Sequence, residues 1–532
     1  MKRNISGLLI AACLALLPAH AAAERVAVAD NAMVVSSTVE ASAAGLRILE
    51  AGGNAIDAAA ATAFALMVTD PAMCSLGGRS QVLIHLANGE VVGIDGATQS
   101  PGGVGEPAKI KRGYGTVPVP GSPAALEEMV AKYGTLPLGR VLQPSIELAR
   151  DGFVINGEYH QAFRKYGEHF AEYPGTAQHF LHPDGSFYSE GEVLKQPALA
   201  RTLEMLAAGG SAVLYGGEAG AAILDDMQKH GGLVTRADLQ QYRTLPGEIV
   251  RGRFMGHDIV ARGGQCDGGS VIQMLQVLER FDLGGYFRQP SRYVELLANV
   301  TWMGDQDEMV PDEQQVSPAM AVRRAQEISG GRLLEDVLPQ SGTQPDPHAA
   351  EPDPGETNHL VVVDSLGNVV SLTQSVGPNF GSKVANPELG FFYAYSYDMN
   401  DEPVPFQREK TSQSPTIVLQ GGKPVVAIGS AGSSRIPGSV VQSIVNHLAH
   451  GMDPVAAVAQ PRAFFFGKDL RIEIPGLDPA LPAELGAKGF TVQPYESLDG
   501  WFGRVQAIFI DPESGRITGV SDPRDFGASR GY

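Results

Sequence analysis

The feature that most constrains this chain is an abrupt junction between Glu356 and Thr357. Residues 338–356 contain five prolines, several acidic residues and almost no large apolar side chain, which is typical of an exposed tract rather than a core. Residues 357–375 instead hold two β-branched apolar runs separated by turn residues at 364–368, a pattern that predicts a buried β-hairpin. An exposed tract therefore leads directly into a buried strand that begins with a threonine.

This junction suits an enzyme that uses its own new N-terminus as the nucleophile. If the Glu356–Thr357 bond breaks, Thr357 carries both a β-hydroxyl and a free α-amine. A threonine hydroxyl is a weak nucleophile without an adjacent base, and an α-amine with a pKa of roughly 7.7–8.0 supplies that base within the same residue. The alternative is that Thr357 only starts a strand, and the local sequence taken alone favours this alternative.

A family resemblance favours the catalytic interpretation. The segment from Thr357 to Asp364, followed by Gly367 and Asn368, resembles the cleavage site of the γ-glutamyltranspeptidases. These are N-terminal-nucleophile hydrolases that cut themselves before a threonine. Residues 46–59 also resemble the first helical pair of that family over a long gap-free stretch. The likeness extends over most of the mature chain.

The resemblance implies an α+β fold, namely the four-layer αββα sandwich of the N-terminal-nucleophile hydrolases. The alternation of predicted helices and hairpins along the chain agrees with a layered architecture. The resemblance also implies one intertwined domain made of two chains, residues 24–356 and 357–532, which the precursor produces by cleavage between Glu356 and Thr357.

The resemblance further assigns the main catalytic groups. Thr357 supplies both the nucleophile and its base. The turn at Gly432 and Ser433 lies between a predicted strand and a helix start, where backbone N–H groups point toward negative charge. The family has two glycines at these positions, and they form its oxyanion hole. We expect Gly432 and Ser433 to play this part here.

The strand after the hairpin turn carries two further hydroxyl groups. Ser375 stands where the family has a threonine that supports the amine and hydroxyl of the nucleophile. Thr373 is its neighbour on the same strand face and the second candidate for this role and for substrate contact. His359 is a less suitable base, because an N-terminal threonine needs none, and we expect it to be a packed structural residue.

The residues that would bind the carboxylate of a glutamyl group match the family only in part. Thr411 and Ser412 keep two hydroxyls that bind the α-carboxylate in the family. The family's carboxylate-binding arginine is replaced by Ala97. Arg79 occupies a loop position where the family has glycine. Its guanidinium is either a substitute ligand for the carboxylate or an ordinary surface group.

The residues that would bind the α-amino group are also altered. An asparagine and a glutamine of the family align with Gly377 and Ser396. The acidic partner of the amine aligns with Met399, or with Asp398 after a shift of one residue. The sequence therefore supports the type of reaction better than the identity of the substrate.

The chain also leaves little room for a lid over the site. In the well-known transpeptidases a long covering loop precedes the paired-serine segment, whereas here only the 13 residues from Met399 to Thr411 separate Asp398 from Ser412. With so short a connection, we expect water to reach an acyl-enzyme freely.

Three functions stay open at this point. The first is hydrolysis of a γ-glutamyl or similar amide through a threonyl ester, with or without transfer to an amine. The second is an acylase of the same family whose acyl group lacks the amino-acid head. The third is an inactive secreted binding protein with the same fold. None of the three requires a metal or another cofactor. The sequence also contains no cysteine or histidine cluster with metal-ligand spacing.

The N-terminal residues predict export. Lys2 and Arg3, an apolar run at 8–17 and small residues before position 24 form a secretory signal over residues 1–23. The apolar run is too short to span a bilayer. We therefore expect a periplasmic or secreted protein without a membrane anchor.

The net charge narrows the range of expected partners. The net charge of −19, or −21 without the signal, argues against nucleic acid or an anionic membrane as a partner. A small-molecule amide and the other chain of the same precursor are the expected partners.

Cys74 and Cys266 either form a disulfide in an oxidising compartment or remain buried thiols.

Overall fold

The structure is a computed structural model that describes residues 25–107, 109–307, 309–330, 356–401 and 403–532. The predicted signal at 1–23 and the proline-rich tract up to residue 355 lie outside the described residues. The described part begins again at Glu356, so both residues of the predicted cleavage site are included.

Two antiparallel seven-stranded sheets form the centre of the protein. Sheet A consists, from edge to edge, of β1 (Val26–Ala29), β18 (Ile517–Ser521), β17 (Arg504–Ile510), β13 (Lys423–Ala431), β12 (Thr416–Gln420), β9 (His257–Arg262) and β8 (Ile249–Phe254). Sheet B consists of β19 (Ala528–Gly531), β2 (Met33–Ser36), β10 (Asn358–Val363), β11 (Val369–Ser375), β3 (Arg79–His85), β4 (Val91–Gly96) and β7 (Leu245–Pro246). Each sheet thus combines strands from before and after residue 357.

The remaining strands form two small sheets. A three-stranded sheet holds β14 (Ala463–Phe466), β15 (Asp469–Glu473) and β16 (Thr491–Tyr495), and a two-stranded sheet holds β5 (Phe153–Val154) and β6 (Val193–Leu194). Both lie outside the two central sheets and contribute no strand to them.

Helices cover the outer faces of the two central sheets, and further helices pack on these helices or on the small sheets. In chain order they are α1 (Val39–Glu50), α2 (Ala55–Thr69), α3 (Ser122–Tyr133), α4 (Leu138–Asp151), α5 (Gly157–Tyr166), α6 (Pro174–Phe180), α7 (Pro197–Gly209), α8 (Ala212–Tyr215), α9 (Glu218–His230), α10 (Arg236–Gln241), α11 (Gly268–Leu278), α12 (Leu283–Phe287), α13 (Pro290–Gln306), α14 (Asp312–Gln315), α15 (Pro318–Ser329), α16 (Asp398–Asp401), α17 (Ile436–Leu448), α18 (Pro454–Ala459) and α19 (Leu481–Ala487). Short 3₁₀ turns include Ser433–Arg435, directly before α17.

Three separate apolar cores show that the layers are stacked in the order helix, sheet, sheet, helix. One core joins sheet B to α1 and α2. A second, which includes Leu83, Val361, Ile417 and Ile508, lies between the two sheets. A third joins sheet A to α11 and α17. The predicted αββα sandwich is therefore confirmed.

Local sequence explains why α2 can lie at the centre of the helical layer. Asn54 caps the helix, and Asp57 returns a hydrogen bond to the backbone of Asn54, a reciprocal capping box. All residues of α2 are buried, and most of them are alanine or another small residue, which allows close packing against sheet B. The helical pair that the resemblance of residues 46–59 implies is confirmed, and Asn54 caps its second helix.

The turn of the central hairpin is tied to the start of α2. Oδ1 of Asp364 accepts the backbone N–H groups of Leu366 and Asn368, which closes the turn. Oδ2 of Asp364 accepts the N–H of Ala55. One carboxylate therefore fixes both the hairpin turn and the first turn of the helix that packs on it.

The aromatic run at Gly390–Tyr397 predicts a strand from its composition, and this prediction is wrong. The backbone there makes only isolated bridges, at Phe392 and Tyr393. Its later N–H groups donate to scattered loop carbonyls, from Tyr395 to Val376 and from Ser396 to Thr116. Because those acceptors do not belong to one neighbouring strand, no ladder forms.

Cys74 and Cys266 are separate buried thiols rather than a disulfide. Burial raises the pKa of Cys74 well above its ordinary value, and it raises the pKa of Cys266 to about 12. Within the described ranges, no helix combines the length and the apolarity that crossing a bilayer requires.

A buried ionic cluster connects sheet A to the small three-stranded sheet. Asp522 contacts Nη2 of Arg462 at 2.7 Å and Nη1 of Arg524 at 3.0 Å, and Arg524 also pairs with Glu473. Burial alone would raise the pKa of Asp522, but the two guanidiniums hold it below its usual range. The cluster lies at the end of β18, where Asp522 directly follows Ser521.

Candidate active site

The register of sheet B aligns three predicted site residues across neighbouring strands. Ser375 is the partner of Arg79 between β11 and β3, and Asn358 is the partner of Gln374 between β10 and β11. Continuing that register by one residue sets Thr357 opposite Ser375. Paired residues of an antiparallel sheet project from the same face. Thr357, Ser375 and Arg79 therefore form one row on one face.

The next row inward is made of His359, Thr373 and Gln81. Nδ1 of His359 lies 2.8 Å from the hydroxyl of Thr373, and Nε2 lies 3.2 Å from the hydroxyl of Ser371. Burial lowers the pKa of His359 to about 3, so the imidazole stays neutral near pH 7. The structure thus agrees with a packed histidine. The hydroxyl of Thr373 is already hydrogen-bonded to this histidine.

The histidine also shows which part of sheet A faces the row. A Cβ added to Gly429 in β13 would lie 2.2 Å from Cε1 of His359, so the ring packs directly on that glycine. β13 runs on from Gly429 to Ala431 and ends in the turn at Gly432 and Ser433. This turn therefore lies at the same edge of the sandwich as Thr357.

The backbone of this turn is unusual. Gly432 has φ +138° and Ser433 has φ +54°, which is the left-handed region that a non-glycine residue adopts only at a cost. Backbone strain of this kind occurs at functional sites, and here it fixes the directions in which the N–H groups of the turn point.

We expect Ser433→Gly to stabilise the protein by up to about 1 kcal/mol, because relief of the left-handed strain outweighs the larger conformational entropy that glycine gives the unfolded chain. The backbone N–H is kept, so kcat should change by less than about threefold. Chemical denaturation and steady-state kinetics measure the two effects. Ser434→Gly, at a neighbouring position without a positive φ, is the matched control and should destabilise. A stability loss in Ser433→Gly would contradict the strain argument.

Arg79 is not a surface group. It is only 5% exposed, and its Nη1 lies 2.9 Å from Oε2 of Glu409. The same carboxylate accepts the hydroxyl of Thr98 at 2.8 Å and the N–H of Tyr397 at 2.9 Å. Nε of Arg79 has no hydrogen-bond partner within the part of the chain that the structure describes.

Asp398 and the hydroxyl pair lie on either side of the short connecting segment. Asp398 begins α16 and accepts a hydrogen bond from the amide of Gln407, whereas Met399 is buried. Thr411 donates its N–H to the carbonyl of Gln265. The hydroxyl of Thr411 lies 3.3 Å from the N–H of Gln413. Both Thr411 and Ser412 are partly exposed.

Glu356 extends from the nucleophile toward Tyr397. The phenol oxygen of Tyr397 donates to Oε2 of Glu356 at 2.9 Å. Glu356 is 8% exposed, while Tyr397 is 40% exposed. The residue that precedes the predicted cleavage point is therefore seated beside Tyr397, at the boundary between the site and solvent.

The opposite face of β10 anchors the nucleophile strand to the helical layer. Nδ2 of Asn358 donates to Oδ2 of Asp70 at 3.0 Å and contacts Sγ of Cys74 at 3.2 Å. Burial raises the pKa of Asp70 to about 6, although Arg504 and the Asn358 amide act in the opposite direction. These contacts fix the strand on one side and leave Thr357 on the other.

Comparison with known proteins places the chain in a structural class and in a family. The four-layer fold is that of the N-terminal-nucleophile hydrolases. Within that class, the chain belongs to the γ-glutamyltranspeptidase family, whose sequence profile matches residues 41–532.

Relatives with different names are similar to this chain. It is 30% identical to the glutathione hydrolase proenzyme of Escherichia coli (strain K12) over 93% of this chain and 91% of that protein. It is 33% identical to the Acylase ACY 1 proenzyme of Pseudomonas sp. (strain SE83) over 92% of each. The cephalosporin acylase structure from Bacillus halodurans matches with a TM-score of 0.85 at 27% identity, covering 95% of this chain and 97% of that one. Membership of the family therefore does not by itself decide the acyl group.

Sequence reasoning missed three residues that the structure brings into the site. Glu409 is the partner of Arg79, Tyr397 contacts Glu356, and Thr98 completes the environment of Glu409. The sequence offered a weak signal for one of them, since Glu409 lies two residues before Thr411. The other contacts join segments that are distant along the chain.

Proposed function

We propose that this protein is a self-processing amidohydrolase that uses Thr357 as an N-terminal nucleophile and acts on amides of a small carboxylate-bearing acyl group. The observation that carries this proposal is the row of Thr357, Ser375 and Arg79, at the same edge as the strained turn of Gly432 and Ser433. The proenzyme names of the relatives support a precursor that is cleaved into two chains.

Maturation would proceed by attack of the Thr357 hydroxyl oxygen on the carbonyl carbon of Glu356. The C–N bond between the two residues breaks, an ester forms, and the hydroxyl proton ends on the α-amine of Thr357. Water then hydrolyses the ester, which releases the carboxylate of Glu356 and leaves a free N-terminal threonine. The products are residues 24–356 and 357–532 of an exported precursor.

Turnover would repeat the same chemistry on a substrate. The α-amine accepts the hydroxyl proton while the oxygen attacks the amide carbonyl, and backbone N–H groups at Gly432 and Ser433 stabilise the oxyanion. The leaving amine departs with a proton, and water or another amine attacks the ester. Ser375, which accepts the N–H of Gly377, would hold the hydroxyl and amine of Thr357 in position.

Two acyl groups are candidates for the substrate. A γ-glutamyl group is the first, because Thr411, Ser412 and Arg79 offer carboxylate ligands. An acyl group without an α-amine is the second, and a specific observation favours it. Met399 is buried, and the Asp398 carboxylate is engaged by Gln407, so the acidic partner of an ammonium is poorly provided for.

The test is a hydrolysis panel that compares γ-glutamyl anilide with glutaryl and other acyl anilides. Hydrolysis of at least one of them by wild-type protein, lost when Thr357 is replaced, supports the proposal. Protein that neither cleaves itself nor hydrolyses any anilide would instead indicate a binding protein with this fold.

Arg79→Ala should raise KM for a carboxylate-bearing acyl anilide by roughly tenfold to a hundredfold, because a hydrogen bond to a charged group contributes about 1.5–3 kcal/mol. The KM of a neutral acyl anilide should change far less. Arg79→Lys keeps the charge without the bidentate geometry, so its KM for the carboxylate-bearing anilide should lie between those of wild type and Arg79→Ala. Thermal unfolding of each variant checks that removing the guanidinium of Arg79, which pairs with Glu409, has not unfolded the site. Equal effects on both substrates would refute the role.

Transfer to a dipeptide acceptor should be weak. The segment from residue 403 to 411 is held down by hydrogen bonds from Ser100 to Gln407, from Glu409 to Thr98 and from Thr411 to Gln265. A segment fixed in this way cannot close over an acyl-enzyme, so water competes freely. Rising glycylglycine should leave most of the product as free acid. Product going mainly to the dipeptide, at rates well above hydrolysis, would show that the site is effectively covered.

A further inference from the structure

Tyr397 is held rigidly by the same group that pairs with Arg79. Its N–H donates to Oε1 of Glu409, whose other oxygen contacts Arg79 and Thr98. Its ring packs edge-on against Tyr395, with centroids 5.0 Å apart. The phenol is therefore presented by a fixed backbone rather than by a freely moving loop.

The Tyr397 hydroxyl already binds a carboxylate in the precursor. It donates to Oε2 of Glu356 at 2.9 Å, and Glu356, Arg79 and Glu409 all act electrostatically on this hydroxyl. Tyr397 is 40% exposed whereas Glu356 is largely buried, and release of Glu356 on cleavage would leave the hydroxyl without this carboxylate partner.

Glu356 is itself an acyl group during maturation. The ester that forms on the Thr357 oxygen joins the main-chain carbonyl of Glu356, so this carbonyl takes the position of the acyl carbon in a substrate. From that carbonyl carbon the chain continues through Cα, Cβ and Cγ to the side-chain carboxylate. This is the carbon skeleton of a glutaric half-amide, which glutaryl and γ-glutamyl amides share.

We propose that Tyr397 is a specificity-determining residue that anchors the distal carboxylate of a five-carbon dicarboxylic acyl group, and that Glu356 occupies this anchor until cleavage. The inference rests on the proposed function and names the substrate class for the same site. Arg79, in the row beside Ser375, supplies the neighbouring positive charge. The distance from Thr357 to Tyr397 then selects the length of the acyl chain.

The experiment compares succinyl, glutaryl, adipyl and γ-glutamyl anilides with the neutral amide analogue of the glutaryl compound, using mature protein. Wild-type kcat/KM should be highest for the five-carbon dicarboxylic chain. Tyr397→Phe should lower kcat/KM for the glutaryl compound by roughly tenfold to a hundredfold, mainly through KM, because a hydrogen bond to a charged group is lost. The neutral analogue should change by less than about threefold.

Tyr293→Phe is the matched control, because it removes another tyrosine hydroxyl, which pairs with His450 at 3.0 Å in a different layer, and it should leave the whole series unchanged. Calorimetric titration with glutarate and with glutaramide, its neutral diamide, measures the anchor without relying on turnover, and only glutarate should lose affinity in Tyr397→Phe.

The outcomes separate the two proposals. Hydrolysis with no preference for five carbons, or an equal loss for charged and neutral compounds, overturns the Tyr397 anchor and leaves the amidohydrolase intact. If no anilide is hydrolysed and Tyr397→Phe binds glutarate as wild type does, both proposals fail. Selective loss of glutarate binding without hydrolysis supports the anchor and overturns the enzymatic proposal alone.

Discussion

Thr357→Ala should leave the protein as one uncleaved chain and reduce amide hydrolysis by roughly a thousandfold or more, since the variant lacks the nucleophile and cannot release the α-amine that serves as its base. Wild-type protein should separate into two fragments under denaturing conditions, and the smaller should hold residues 357–532. Gel electrophoresis with intact-mass measurement follows the first effect, and the anilide panel follows the second.

Thr357→Ser is the control for this prediction. It keeps a hydroxyl on the same backbone and should retain measurable cleavage and turnover, although without the β-methyl that restrains the rotamer of threonine. An uncleaved wild-type protein that hydrolyses amides would contradict the N-terminal-nucleophile mechanism. A cleaved Thr357→Ala protein would contradict it equally, because cleavage would then not need this hydroxyl.

Asp522→Asn should destabilise the protein by about 3–5 kcal/mol, because it leaves the buried guanidiniums of Arg462 and Arg524 without their shared negative charge. Asp522 also accepts the N–H of Val505 through the oxygen that contacts Arg462, so the amide replaces an acceptor with a donor at one position. Chemical denaturation monitored by far-UV circular dichroism gives the change in the free energy of unfolding.

The matched control for this effect is an exposed ion pair. Lys132→Gln removes the partner of Glu128 on α3, where the lysine side chain is 58% and the glutamate side chain 22% exposed, and it should change the free energy of unfolding by less than about 1 kcal/mol. A loss in Asp522→Asn no larger than the loss in Lys132→Gln would show that the buried cluster does not contribute to stability as the geometry indicates.

Much of the fold could be predicted because the strongest signals are local. The hairpin after Thr357 follows from β-branched runs around a turn that Asp364 closes, and the cap at Asn54 follows from residues three positions apart. The false strand at Gly390–Tyr397 shows the limit of such signals, because an aromatic run predicts extended backbone but not a neighbouring strand to pair with. Family resemblance supplied the layer order, which local patterns do not contain.

The sequence by itself determined the junction at Glu356–Thr357, the hairpin behind it and the residue types available for acyl transfer. Only the tertiary structure decided which of these residues meet. Arg79 shares a row with Ser375 because β3 and β11 are neighbours in sheet B, and it pairs with Glu409 because the segment before Thr411 returns to that row. Strand order and register arise from packing of whole layers, so no local pattern along the chain encodes these contacts.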